Sequence, residues 1–157
     1  MGVTGSGKTT VGKLLGAKLG RPFFDGDDFH NAANVDKMRA GIPLTDADRW
    51  PWLQGLAAKI DEWTASEAGA ILGCSALKEA YRALLVGERL HVGLVYLWGT
   101  EELISRRLSE RVHEYMPASL LTSQFDTLEE PQDACTVDIA PPPEEIVREI
   151  ATRLELC

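Results

Sequence analysis

The sequence predicts an α/β fold of three layers, with a mostly parallel sheet covered by helices on both faces. Short apolar runs that suit strands alternate along the chain with longer runs of helical periodicity. A glycine-rich segment, Gly2 to Thr9, opens directly into the first of the helical runs. At 157 residues the chain suits one core and is too short for two ordinary ones, so residues 1–157 are expected to form a single domain.

The elements follow in order. Val11, Leu14, Leu15 and Lys18 recur at helical spacing and Gly20 is placed to stop the turn, which predicts a helix over 8–19. Phe23 and Phe24 make a short strand running into Asp25-Gly26-Asp27, and a second helical piece covers 32–40 before Gly41 and Pro43. Thr45 with Asp48 three residues later has the form of a capping box, and Trp52, Leu53, Leu56, Ile60 and Trp63 trace the buried stripe of a long helix ending near Gly69. Residues 70–74 read as an apolar strand, 77–85 as a helix, 92–97 as another apolar strand and 101–112 as a helix with a charged face. Residues 113–131 read as irregular or short-helical and 136–139 as a last strand. A terminal helix over 144–154 follows Pro141, Pro142 and Pro143.

Composition narrows the function classes. Apolar residues make up 45% and charged residues 25%, the usage of a globular chain, and no apolar run approaches the roughly 20 residues of a membrane-spanning helix. No basic stretch followed by an apolar one opens the sequence, so a cytoplasmic protein is expected. Cys74, Cys135 and Cys157 are odd in number and lack Cys-x-x-Cys spacing, which points to reduced structural thiols rather than disulfides or zinc. A formal net charge of −8 repels nucleic acid and anionic lipid. A nucleotide can still bind such a chain, because local amides, a lysine and a metal ion act within a few ångströms, where distant carboxylates are screened.

Gly2-Val3-Thr4-Gly5-Ser6-Gly7-Lys8-Thr9 matches G-x-x-x-x-G-K-[ST], and a helix begins where that motif requires one. Glycines let the backbone curl so that N–H groups point inward at phosphate oxygens with no β-carbon in the way. Lys8 can reach the β- and γ-phosphates, the Thr9 hydroxyl can ligate Mg²⁺, and Thr10 stands in the first helical turn beside them. The expected fold is therefore that of a P-loop NTPase, with ATP and Mg²⁺ as its nucleotide and metal. Such a loop ordinarily follows an apolar strand, and only Met1 precedes Gly2. The expectation is a chain that begins late, by truncation or at an internal methionine, with the strands at 70–74 and 92–97 flanking a poorly filled central slot.

Asp25, Asp27 and Asp28 close the second apolar run, where parallel sheets bind ligands. A period of two sends Asp25 and Asp27 to one side and Asp28 to the other. Two carboxylates beside a phosphate loop can divide the work, one in the magnesium shell and one accepting a hydroxyl proton, although the same acids also suit a plain polar turn.

The run Asp25-Gly26-Asp27-Asp28-Phe29-His30, then 34–38, Gly41-Ile42-Pro43-Leu44-Thr45-Asp46 and Asp48-Arg49-Trp50-Pro51-Trp52-Leu53, resembles the gluconokinase family, small P-loop kinases related to shikimate and adenylate kinases. Cys74-Ser75-Ala76-Leu77-Lys78 with Tyr81-Arg82, and Met116-Pro117, Leu120-Leu121, Ser123-Gln124-Phe125 and Thr127-Leu128-Glu129, extend the similarity over nearly the whole chain. The resemblance implies phosphorylation of D-gluconate to 6-phospho-D-gluconate by ATP. It implies Asp27 as the group that holds and deprotonates the acceptor hydroxyl, with Asp25 in the magnesium shell. Arg49 is the candidate clamp for the substrate carboxylate, which a guanidinium fork matches bidentately, with a surface pairing to Asp46 or Asp48 as the alternative. His30, Ser75, Lys78 and Gln124 are further candidate substrate contacts, and His30 also suits a structural role. Trp50 and Trp52 read as packing groups.

Arg106, Arg107 and Arg111 fall where these kinases carry a mobile lid, expected here over 106–117. A lid arginine would neutralise charge developing on the transferred phosphoryl; Arg111, abutting His113, is the first candidate, and Arg107 is a second contact to the nucleotide. Val112 stands where the family often has a glycine, which implies a stiffer lid entry. The rival readings are a kinase for another small hydroxy acid, with the absence of a glycine triplet near Cys74 counting against shikimate, and an inactive nucleotide-binding remnant. A homodimer is the default for small enzymes of this kind.

Overall fold

The structure, a computed structural model, describes residues 1–66, 68–110 and 118–156. Its elements are α1 (Lys8–Leu19), β1 (Phe23–Asp25), a 3₁₀ turn (Gly26–Phe29), α2 (Ala32–Arg39), α3 (Asp46–Ala65), β2 (Ile71–Gly73), α4 (Glu79–Leu85), β3 (Val95–Trp98), α5 (Glu101–Ser109), α6 (Ala118–Thr127), β4 (Cys135–Asp138) and α7 (Pro143–Arg153). The order and type of the expected elements hold. The stretch expected to be irregular or short-helical contains α6, β2 and β3 are shorter than their apolar runs, and β4 starts and ends one residue earlier than expected.

Local chemistry sets the helix ends. The Thr45 hydroxyl accepts from the Asp48 N–H and the Asp48 carboxylate accepts from the Thr45 N–H, completing the capping box and starting α3 at Asp46, ahead of its apolar stripe. Pro51 lies inside this helix, past the first four residues whose N–H groups lack an intrahelical partner, so α3 forgoes one backbone bond there. In α7, Pro143 occupies the first turn with Glu144 and Glu145, and Arg153 closes the last turn, matching the helix dipole at both ends.

Among the described residues all strand pairing is parallel. β1 pairs with β2 from Phe23↔Ile71 to Asp25↔Gly73, and β3 with β4 from Val95↔Cys135 to Trp98↔Asp138. Helices cover both faces. Val11, Leu15, Ile104, Ile146 and Ile150, from α1, α5 and α7, pack with Leu97 and Val137 into one core. Trp52, Leu53, Leu56, Ile60, Tyr81 and Leu85, from α3 and α4, form the second. The resulting three layers are those of the P-loop kinases.

The two strand pairs do not join into one sheet. Ile71 donates its N–H to Pro22 O at 2.9 Å, so Leu72, one residue on, presents its amide and carbonyl away from β1. Across the gap the Val95 carbonyl accepts from the Met1 ammonium, and the Leu97 N–H donates to Met1 O at 3.0 Å. The Gly2 N–H donates to Ser75 O at 3.3 Å. Met1 and Gly2 thus bridge the two pairs, alongside β3 and just past the end of β2. Behind them lies a cavity of ≈ 370 Å³, lined from both helical layers and both sheet edges by Val11, Leu15, Ile60, Trp63, Leu72 and Val95 among others. The slot expected between these strands is present. Burial and the nearby Lys8 charge push the Met1 ammonium down to about 5.

Candidate active site

The phosphate loop curls between the end of β3 and the start of α1. Gly7 caps α1 in the left-handed region at φ 93, where a side chain would be strained. A β-carbon on Gly5 would come within 2.9 Å of Leu108, so the loop lies directly on α5. The Ser6 N–H donates to Val3 O at 3.2 Å, and the Ser6 hydroxyl, 1% exposed, is buried without a partner. Lys8 folds back over the loop, donating to the carbonyls of Gly2 and Val3 at 3.0 Å each. Thr9 and Thr10 are exposed on the first turn of α1.

The Thr9 hydroxyl donates to Asp25 Oδ2 at 3.3 Å, which brings the two expected magnesium ligands together. Asp25 also accepts from the Asp27 N–H at 3.1 Å, capping the 3₁₀ turn. That cap ends the strand at Asp25, so the alternation expected through Asp28 does not hold: the backbone turns before Asp27 is reached. Asp27 nonetheless stays at this crevice, with its carboxylate 75% exposed. Loss of water on its inner side raises its pKa above the ordinary range, and the Asp25 charge adds to that; His30 and Lys8 work in the opposite direction.

The turn is held from below. Trp52 Nε1 donates to Gly26 O at 2.8 Å, and the His30 ring stacks on Trp52 with centroids 4.1 Å apart. His30, with a 4% exposed side chain, has its Nε2 3.9 Å from Asp27 Oδ1. Trp52 is therefore a buried support, as expected, while Trp50 lies half exposed with its ring edge-on to Tyr81.

A second cluster faces the crevice from α3 and α4. Lys78 donates to both Asp46 oxygens at 2.9 and 2.8 Å, and the Tyr81 hydroxyl donates to the same carboxylate. Arg49 Nη1 donates to the Tyr81 hydroxyl at 3.4 Å and lies 3.7 Å from Asp46 Oδ1. Asp48 is engaged elsewhere, with Lys37 at 2.7 Å and the Thr45 cap, and these bonds hold its pKa down at about 2. Hydrogen bonds from Lys78 and Tyr81 likewise lower that of Asp46.

Ser75 follows β2 in a loop shaped by Ala76, whose φ of 45 is left-handed. The buried Arg82 guanidinium holds that loop, donating to Ala76 O at 3.1 Å and Leu77 O at 2.9 Å. Gln124, on α6, accepts the Thr4 N–H at 2.7 Å and so is tied to the phosphate loop. Arg107 donates to Ile139 O at 2.7 Å at the end of β4. Arg111 and His113 lie outside the described residues, as does most of the expected lid. Asp46, Tyr81, Asn34 and Arg82 all stand within the matched runs, but only Asp46 is named by the sequence reading, as the alternative surface partner of Arg49, which it meets at 3.7 Å; the other pairings come from packing.

A family model described as shikimate kinase matches residues 4–155. The thermosensitive gluconokinase of Escherichia coli (strain K12) is 46% identical over 144 residues, a match spanning 88% of this chain and 76% of that protein. The gluconokinase of Gluconobacter oxydans (strain 621H) is 47% identical over 133 residues, spanning 85% of this chain and 75% of that one. The crystal structure of a gluconokinase from Sinorhizobium meliloti 1021 superposes on 99% of this chain and 89% of its own, with a TM-score of 0.88 at 42% identity.

Proposed function

The chain belongs to the gluconokinase family of small P-loop kinases, and we infer that it transfers the γ-phosphoryl group of ATP to the 6-hydroxyl of D-gluconate. The observation that carries the mechanism is the junction at the mouth of the loop, where the Thr9 hydroxyl meets Asp25 and Asp27 stands two residues on.

Lys8 and the first-turn amides at the N-terminus of α1 suit the β- and γ-phosphates; the unpartnered Ser6 hydroxyl within the loop fits a ligand rich in acceptor oxygens. The Thr9 hydroxyl and the Asp25 carboxylate are hard oxygen donors side by side, which fits Mg²⁺, an ion that keeps several waters and takes few protein ligands. When bound, the ion would neutralise charge on the phosphates. Asp27 accepts the hydroxyl proton as the gluconate oxygen attacks the γ-phosphorus, and the bond from that phosphorus to the β–γ bridging oxygen breaks, with its electron pair leaving on ADP. A carboxylate with a raised pKa is a better proton acceptor than an ordinary one.

Arg49, which shares Asp46 and Tyr81 with Lys78, is assigned to the gluconate carboxylate, and Ser75 and Lys78 to substrate hydroxyls. Gln124 supports the loop that would hold the nucleotide. Arg107 and Arg111 are assigned to the nucleotide side, on a lid over 106–117 of a single domain. Among the described residues no helix is long and apolar enough to cross a membrane, and the reading places the enzyme in the cytoplasm, as a homodimer.

ADP release measured against a panel of sugar acids tests the reading: turnover with D-gluconate well above the other acids is expected. Another acid preferred over gluconate would overturn the substrate assignment. Asp27→Asn is expected to lose roughly 100-fold or more in kcat while keeping its ATP affinity. Equal loss of both would sink the role given to Asp27.

A further inference from the structure

We propose that His30 is a positioning residue for Asp27, locked by Asn34 as the tautomer that carries its proton on Nε2 and offers that proton to the Asp27 carboxylate. The proposal deepens, and rests on, the reading of Asp27 as the base.

Asn34 is 2% exposed, and its side-chain Nδ2 donates to the Asp48 backbone carbonyl at 2.9 Å. A carbonyl only accepts, so the nitrogen of this amide must face it, and the orientation of the amide is fixed. The same nitrogen lies 3.3 Å from His30 Nδ1. One amide hydrogen serves Asp48 and the other points at Nδ1, which must receive it with a lone pair. The neutral ring then has its hydrogen on Nε2. Nε2 is the atom that lies 3.9 Å from Asp27 Oδ1.

The ring cannot readily turn to exchange its nitrogens. It is stacked on Trp52 with 19° between the planes, and Trp52 is itself fixed to Gly26 O. The Asp27 carboxylate, by contrast, is open to the crevice, and it must swing toward Nε2 to come within hydrogen-bond distance. The charged groups around the pair are Asp27 and Arg49 for the ring, and Asp25, Asp28 and Lys8 for the carboxylate. Burial first, and Arg49 after it, keep the ring neutral against the pull of Asp27. A neutral donor can orient one carboxylate oxygen and leave the other for the substrate hydroxyl. The opposite tautomer would aim a lone pair at the carboxylate and repel it.

The test has a spectroscopic arm and a kinetic arm. Long-range proton–nitrogen NMR on histidine-labelled wild-type protein reads the tautomer, and the chain has three histidines, so His30→Gln assigns the signal. A proton on Nε2 is expected; a proton on Nδ1 overturns the proposal. In the kinetic arm, His30→Phe keeps a ring on Trp52 and removes the donor. Its kcat is expected to fall roughly 10- to 100-fold, the weight of one hydrogen bond to a charged group. KM for gluconate and ATP is expected to stay within about twofold. His30→Gln, which restores an N–H, recovers part of the loss. Wild-type kcat in His30→Phe would overturn the positioning role. Asp27→Asn separates the two claims: if it loses turnover while His30→Phe is unaffected, only the positioning role fails, whereas retained turnover removes the base and its positioning residue together.

Discussion

Asp27 carries a conflict between stability and function at a single residue. Its pKa is raised in the folded chain, so its contribution to stability is present below the ordinary carboxylate range, about pH 4, and is lost as pH rises through the raised value. Asp27→Asn is therefore expected to melt at or above the wild-type temperature at neutral pH, with the difference vanishing as the pH falls toward 4; calorimetry across that range checks it. Arg49→Lys isolates the substrate clamp. A lysine keeps the charge and loses the fork, so KM for gluconate should rise roughly tenfold with KM for ATP unchanged. A parallel rise in both would place Arg49 outside the gluconate site. The motif residues at this scale were readable in the sequence because their spacing is their chemistry: Lys8, Thr9, Asp25 and Asp27 work through a local loop and a local turn. Tyr81 and Asp46, 35 positions apart, were not, since nothing in either neighbourhood announces the other.

Among the elements, α3 carries the site. Its capping box fixes where the helix starts, and that start places Arg49 one turn in, with Trp52 beneath the Asp25 turn. Thr45→Ala is expected to cost about 1 kcal/mol in denaturant unfolding, the ordinary weight of an N-cap. Trp52→Phe should cost more, about 1–3 kcal/mol, because the Gly26 carbonyl would be left buried without its donor. It should also lower kcat, since the same bond holds the turn bearing Asp27. A Trp52→Phe protein with wild-type kcat would show that the turn keeps its shape without that bond. The box was legible as Thr-x-x-Asp, and the stripe as a 3.6-residue period. That Trp52 would reach Gly26, 26 residues away, was not legible.

For the whole molecule, the cavity between the two strand pairs leaves room for added stability. Leu72 on one side offers backbone groups to it, and on the other Met1 already pairs with Val95 and Leu97 in the manner of a parallel strand. Fusing five apolar, β-branched residues ahead of Met1 is expected to fill the slot, satisfy those groups and replace a buried ammonium by an amide. The melting temperature should rise by several degrees or more. An unchanged melting temperature would mean that the two strand pairs close on each other in solution.

The sequence by itself determined the layered fold, the phosphate loop, the aspartates beyond β1 and the family, because each is written in residues close together along the chain. Only the tertiary structure decided which polar side chains meet: Gln124 on the loop amide of Thr4, Arg82 under the loop after β2, Asn34 between Asp48 and His30. Those pairings are set by how helices pack on strands. A buried polar group takes whatever partner that packing supplies, and one-dimensional spacing carries no record of it.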